Sequence, residues 1–230
     1  MRSAILVIVF LILTLLAIPV LLVSALFGFR DVFLAYGRWM MQVGRIILGI
    51  DVEVTGLDRL DRETPYVFMS NHVSFLDGPL LMTILDRLAR VVVKRFVFRI
   101  PILGLGMRFS GYVPLDREGA GAGKRSIARA AQWIKEKGYS FLIYPEGARS
   151  FDGKLLRFRR GGFFLALESG APIVPVTVQG TYELMPRGKW LVRKGRVKIT
   201  LHEPIPVIGY TQKNMVELMD IVKAAVSSAL

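Results

Sequence analysis

Cysteine is absent from the 230 residues, and histidine occurs only twice. Without a thiol the chain can form no disulfide, no thiolate zinc site and no acyl-thioester on a cysteine nucleophile, and the absence fits a reducing compartment. His202, in Leu201-His202-Glu203-Pro204, lacks the further ligands at sensible spacing that a metal site needs and reads as structural. Acidic residues are scarce, 18 against 31 Lys and Arg, which leaves a net charge of +13. From residue 3 to residue 29 no side chain is charged at all.

That uncharged stretch exceeds the roughly 20 residues a helix needs to cross a bilayer. Pro19 inside it suggests a kink or a re-entrant path. A secretory signal peptide is the rival reading, since Val23-Ser24-Ala25 loosely mimics a cleavage site, but the apolar run is longer than the usual signal core. From Val32 to Ile50 the apolar pattern continues, now interrupted by Arg38 and Arg45 and accompanied by Tyr36 and Trp39. That mixture predicts an interfacial helix rather than a second span. Residues 1–50, which hold four Arg and one Asp, therefore read as membrane-anchoring helices. Most of the positive excess lies beyond them and predicts that residues 51–230 form one domain on the cytoplasmic face.

A basic excess also suits nucleic acid, but its distribution argues for a membrane surface. Arg87, Arg90, Lys94, Arg95 and Arg99 alternate with Val and Phe, and the segment Arg187 to Lys194 brackets Trp190 with cations. Charged heads on apolar stems beside aromatic rings fit anionic lipid, so membrane lipids and not nucleic acid are the expected partner.

Beyond residue 50, strand-like runs occur at Val52–Val54, Tyr66–Met69, Val91–Val93, Gly111–Leu115, Phe141–Tyr144, Ile173–Val178 and Arg196–Leu201. Helical stretches lie between or after them, at Leu80–Leu88, Arg125–Lys137, Gly162–Glu168 and Asn214–Ser228. The alternation predicts an α/β fold, a mixed, largely parallel sheet flanked by helices, carrying the N-terminal membrane-anchoring segment. Gly119-Ala120-Gly121-Ala122-Gly123-Lys124 superficially looks like a phosphate loop. Glu118 stands where the first Gly is required and Arg125 where Ser or Thr is, so it reads as a lead into a helix.

Two segments carry the chemistry. In Asn71-His72-Val73-Ser74-Phe75-Leu76-Asp77, a histidine precedes a carboxylate by five positions, a spacing that on a regular helix separates them by roughly 140°. The run Tyr66–Met69 before them reads as a strand and Gly78-Pro79 after them as a helix start, so a strand-to-helix turn is expected to bring the two together. A carboxylate on one ring nitrogen fixes the tautomer and makes the imidazole a general base. Downstream, the strand Phe141–Tyr144 runs into Pro145-Glu146-Gly147-Ala148-Arg149-Ser150. There an Arg on a Gly-containing turn can grip a phosphate bidentately while the backbone approaches closely. Ser70 and Ser74 are nominal nucleophiles, but no Gly-x-Ser-x-Gly elbow surrounds either.

These segments resemble, in order, conserved blocks of the glycerolipid acyltransferases, especially bacterial lysophosphatidic acid acyltransferases. Asn71-His72 through Asp77 looks like the first block. Lys94 through Arg117, with Ile100-Pro101 and Gly111-Tyr112-Val113-Pro114-Leu115-Asp116-Arg117, resembles the second, Tyr144 through Ser150 the third and Ala171-Pro172-Ile173-Val174-Pro175-Val176 the fourth. Within the third, Tyr144 and Ala148 stand where the family usually has Phe and Thr. The likeness covers roughly residues 50 to 205. It implies that His72 removes the proton from a lysophosphatidic acid hydroxyl, which attacks the thioester of acyl-CoA or acyl carrier protein directly to give phosphatidic acid, with Asp77 orienting the imidazole and no cofactor. It further implies that Lys94, Arg117 and Arg149 grip the phosphate and that Gly147 belongs to the same binding turn. Glu146, ionised beside these cations, is expected to position Arg149 or the acceptor glycerol. The oxyanion donors are sought among backbone amides of the two strand-end turns. The blocks leave open a different lipid acceptor, such as glycerol phosphate or a lyso-aminolipid, and a non-catalytic membrane-surface binding protein.

Overall fold

The computed structural model describes residues 2–85, 89–115 and 122–230. Two helices lead, α1 (Arg2–Phe27) and α2 (Arg30–Leu48), followed by β1 (Ile50–Thr55), β2 (Val67–Ser70), α3 (Asp77–Ile84) and β3 (Ala89–Lys94). Then come α4 (Leu103–Phe109), β4 (Val113–Leu115), α5 (Ala122–Lys137), β5 (Ser140–Ile143), α6 (Gly161–Ser169), β6 (Ile173–Gln179), α7 (Thr181–Leu184), β7 (Gly195–Leu201) and α8 (Met215–Ser227). The strands form a single sheet in the order β1-β7-β6-β2-β5-β3-β4. Every neighbouring pair is parallel except β6 with β7. The sheet is mixed and largely parallel, as the alternation of strand and helix patterns implied.

Central strands of a parallel sheet are covered on both faces, and period-two alternation sends successive side chains to opposite sides. Val67, Met69, Phe141, Ile143 and Ile173 pack on one face with Ala130 and Ile134 of α5, Phe163 of α6 and Leu218 and Val222 of α8. Phe68, Leu142, Val174 and Val176 face the other way, onto Leu80, Leu81 and Met82 of α3 and Leu48 of α2. Each fully buried Phe contributes about 2 kcal/mol relative to exposure.

The leading helices stack outward from this second face. α2 rests on α3, with Arg38 Nε donating to the Met82 carbonyl at 3.0 Å. α1 rests on α2, where Tyr36 donates its hydroxyl to the Leu13 carbonyl at 2.7 Å and Gly44 lets Phe10 approach so closely that a Cβ there would touch its ring. Arg38 and Arg45, the charges that pointed to a surface helix, turn onto the backbone carbonyls of Met82 and Ile50. The outermost helix, α1, runs through Pro19 and is long and apolar enough to cross a membrane, with a mean hydropathy of 3.3 over the most apolar 18-residue stretch within Ala4–Phe27. Leu11, Leu15, Leu22 and Leu26 share one exposed face of it.

Two helices were not anticipated. α4 contains Gly104 and Gly106, and each serves close packing: a Cβ on Gly104 would strike the Phe98 carbonyl, and one on Gly106 the Phe33 ring of α2. α7 is a single turn after β6, too short for periodicity to reveal. The helix expected over Leu80–Leu88 begins at Asp77 and ends at Ile84; residues 86–88 lie outside the described residues, as do Arg87 of the basic run and most of the Gly119–Gly123 stretch.

Candidate active site

β2 and β5 are adjacent and parallel, so the turns that follow them leave the same edge of the sheet, where open α/β sheets keep their ligand sites. The turn after β2 folds back until Asp77, the first residue of α3, meets His72: the Nδ1–H donates to Asp77 Oδ2 at 2.8 Å. The same oxygen accepts the backbone N–H groups of Val73 and Ser74, each at 2.8 Å. Oδ1 accepts the Thr181 hydroxyl at 2.6 Å. Asp77 is fully buried, and all four bonds donate to it. The carboxylate is thus a fixed acceptor that keeps the proton on Nδ1 and leaves the Nε2 lone pair to receive one. The His72 side chain retains 20% exposure, enough for that edge to meet a substrate. Its ring stacks on Tyr144 with centroids 3.9 Å apart and planes 16° from parallel.

Long-range pins hold the turn. The Asn71 amide donates to the Val178 carbonyl at 2.9 Å and accepts the Val178 N–H at 2.8 Å, continuing the β2–β6 ladder with a side chain. Ser74 donates its hydroxyl to the Met185 carbonyl at 2.7 Å, and Ser70 is buried with its hydroxyl on the Asn71 carbonyl. Both serines are engaged in holding the turn.

Glu146 departs from the expectation of a cation-paired residue. Its side chain is buried, Oε1 accepts the backbone N–H of His72 at 2.6 Å and Oε2 that of Leu156 at 2.7 Å. No salt bridge joins it to a cation among the described residues. Burial lifts its pKa from the ordinary 4.5 to about 7, against the pull of those two N–H bonds, and the charge of Asp77 adds to the rise. Glu146 therefore splints two loops rather than standing open to the acceptor.

Gly147 supplies the positive φ of +71° that its turn requires, and its N–H bonds the Tyr144 carbonyl at 2.9 Å. Arg149 is half-buried, its guanidinium 5.8 Å from the centre of the Phe75 ring, and its carbonyl accepts Arg187 Nη1 at 2.6 Å. Lys94 is exposed at the carboxyl end of β3, with β5 lying between that strand and β2. Arg117 lies outside the described residues. The structure thus brings His72, Asp77, Glu146, Gly147 and Arg149 together and sets Lys94 further along the same edge. Many of the amides expected to bind an oxyanion are committed: His72 to Glu146, Val73 and Ser74 to Asp77, Gly147 to Tyr144, and Ser150 to the His72 carbonyl.

Sequence reasoning did not find Thr181, which stands 104 positions from Asp77 and reaches it only because β6 lies beside β2. It noted Tyr144 as a substitution without assigning its ring to His72. His202, read as structural, shares a 2.9 Å hydrogen bond with Thr177, whose hydroxyl donates to the Val226 carbonyl of α8 at 2.7 Å.

A strand-end histidine is steadied by a buried carboxylate on a mixed α/β sheet, with arginine on the neighbouring turn, an arrangement with the chemistry of a general base beside an anion-binding group. The family model described as Acyltransferase matches residues 51–179, and the chain belongs to that family. It is 37% identical over 155 residues to the chloroplastic 1-acyl-sn-glycerol-3-phosphate acyltransferase of Brassica napus, an alignment covering 66% of this chain and 44% of the relative. It is 29% identical over 186 residues to the human 1-acyl-sn-glycerol-3-phosphate acyltransferase alpha, covering 81% and 66% respectively. The chain spans less than half the length of the chloroplastic relatives from Brassica napus and Arabidopsis thaliana, 44% and 43%. The crystal structure of the 1-acyl-sn-glycerophosphate acyltransferase PlsC from Thermotoga maritima superposes with a TM-score of 0.76 at 26% identity, over 100% of this chain and 96% of that one.

Proposed function

We propose that this chain transfers a fatty acyl group from a thioester, acyl-CoA or acyl carrier protein, to the free hydroxyl of lysophosphatidic acid, giving phosphatidic acid. The observation that carries the reading is the 2.8 Å bond from His72 Nδ1 to a fully buried Asp77, which leaves Nε2 as the base. Nε2 takes the proton as the acceptor oxygen bonds to the thioester carbonyl carbon. The tetrahedral intermediate then expels the thiolate, which recovers the proton from the imidazolium, so that one ester and one thiol leave. Asp77 stabilises the imidazolium between the two steps. Arg149 grips the acceptor phosphate, Gly147 lets the turn approach it, and Lys94 and Arg117 extend the cationic edge. Glu146 holds the backbone of the base.

The reading places α1 and α2 as the membrane anchor and residues 51–230 as the catalytic domain on the cytoplasmic face, where thioester donors are made. Purified protein supplied with a labelled thioester and either lysophosphatidic acid or a phosphate-free monoacylglycerol tests it. Arg149→Ala is expected to lower kcat/KM for the phosphate-bearing acceptor by about 100-fold and for the other far less. Equal losses would remove the phosphate assignment, and free fatty acid as the sole product would remove acyl transfer itself.

A further inference from the structure

Besides meeting His72, Glu146 lines a cleft of about 1010 Å³ between the 156–160 segment and α8, on the sheet face opposite α3. Four exposed cations, Arg157, Arg159, Arg160 and Lys223, stand around it, against the single surface carboxylate of Asp220. None of the four makes a salt bridge among the described residues. Val216 and Met219 of α8, together with Leu156 and Phe158, give the cleft an apolar part to its lining.

Local structure explains the concentration of charge. Phe158 is buried with its ring 6.4 Å from that of Phe163, while its neighbours Arg157 and Arg159 are exposed. The Arg159 N–H is fixed on the Pro145 carbonyl at 2.8 Å, tying the cationic segment to the turn that carries Glu146 and Arg149. Like charges held side by side repel and are destabilising unless a polyanion neutralises them. A merely solubilising face has no need of a concavity, whereas small-molecule sites occupy about 300–1,000 Å³ and combine apolar walls with a few convergent polar groups.

We propose that this cleft binds the phosphorylated nucleotide head of a coenzyme-A-type thioester, its phosphates on Arg157, Arg159, Arg160 and Lys223 and its purine on Val216 and Met219. The inference rests on the acyl-transfer reading and selects, within it, the nucleotide-bearing donor. The extended pantetheine arm then passes the 146–150 turn to bring the thioester to His72. An acidic carrier protein offers a convex surface and one phosphodiester, which suit a broad basic face better than this recess.

Adenosine 3′,5′-bisphosphate titrated calorimetrically into the full-length protein in detergent is the direct probe. Saturable one-to-one binding is expected, weakened about tenfold or more by Arg157→Gln with Arg160→Gln and, independently, by Lys223→Gln on the opposite wall, but not by Lys198→Gln on β7. In the transfer assay the double variant is expected to raise KM for acyl-CoA about tenfold more than KM for the nucleotide-free acyl-pantetheine. Absence of bisphosphate binding, equal rises in KM for both thioesters, or a rise confined to acyl carrier protein would each overturn the assignment, the last giving the face to a carrier protein. Bisphosphate binding in a protein that transfers no acyl group to any lysolipid supports the nucleotide site and removes the acceptor chemistry instead.

Discussion

Glu146 Oε1 holds the backbone N–H of His72 at 2.6 Å, so the carboxylate of the arginine-bearing turn fixes the position of the base on the neighbouring one. Its second oxygen holds the Leu156 N–H at 2.7 Å, and a glutamine offers only one acceptor where two are used. Glu146→Gln is expected to lower kcat by about tenfold or more while KM for the acceptor changes little, because the loss falls on alignment of the base. A change confined to KM would return Glu146 to the role of acceptor ligand.

The same carboxyl gives a pH signature. In the folded chain it ionises near 7, and in the unfolded chain near its ordinary 4.5, so the folded state holds the proton more tightly. The resulting stability is fully present below about 4.5 and is lost as pH rises to about 7, a component of roughly 3 kcal/mol. Urea unfolding across that window should show wild type losing stability relative to Glu146→Gln as pH rises; parallel curves would mean that the carboxyl titrates normally.

Asp77→Asn is expected to lower kcat by about 10²–10⁴, the range for loss of general-base function, since an amide no longer fixes the proton on Nδ1. Stability falls as well, because the amide group presents N–H to donors that all point inward. His72→Ala should be equally inactive but keep its lipid association and, lacking that inward conflict, lose less stability. Vesicle flotation and thermal unfolding separate the two variants, and an active His72→Ala would end the general-base account.

Thr181→Val removes the hydroxyl that donates to Asp77 Oδ1 at 2.6 Å and leaves a buried oxygen one partner short. A cost of about 1–3 kcal/mol is expected in chemical denaturation, with a smaller fall in kcat than Asp77→Asn produces. Thr181→Ser should recover most of both. Failure of the serine to rescue would show that the methyl group, not the hydroxyl, matters.

Tyr144 stacks on His72, but its hydroxyl is buried without a hydrogen-bond partner among the described residues, and burial together with the Asp77 charge pushes its pKa well above 10. Tyr144→Phe keeps the stacked ring and removes the orphaned polar group, so it is expected to raise stability by about 1 kcal/mol with turnover kept. A loss of stability would reveal a bonded partner for the hydroxyl.

The sheet was legible because its strands carry compact apolar runs separated by glycine and proline, and all seven predicted strand runs have counterparts in the structure. α4 was not, since Gly104 and Gly106 are there for the Phe98 carbonyl and the Phe33 ring, neighbours that only the folded chain supplies. At the site, His72 and Asp77 could be paired because the turn between them is local. Thr181 could not, as its partner depends on strand order. For Glu146, closeness to Arg149 in sequence suggested that it positions the arginine or the acceptor glycerol, whereas the fold sets its two oxygens on the His72 and Leu156 N–H groups and the Arg149 guanidinium beside Phe75.

α2 lies between α1 and α3, and α3 starts at Asp77. Helix packed on helix thus links the apolar outer helix to the His72–Asp77 pair. Under the proposed function, the depth at which α1 settles in a bilayer sets the height of the imidazole above it, and the acceptor hydroxyl must arrive at that one level.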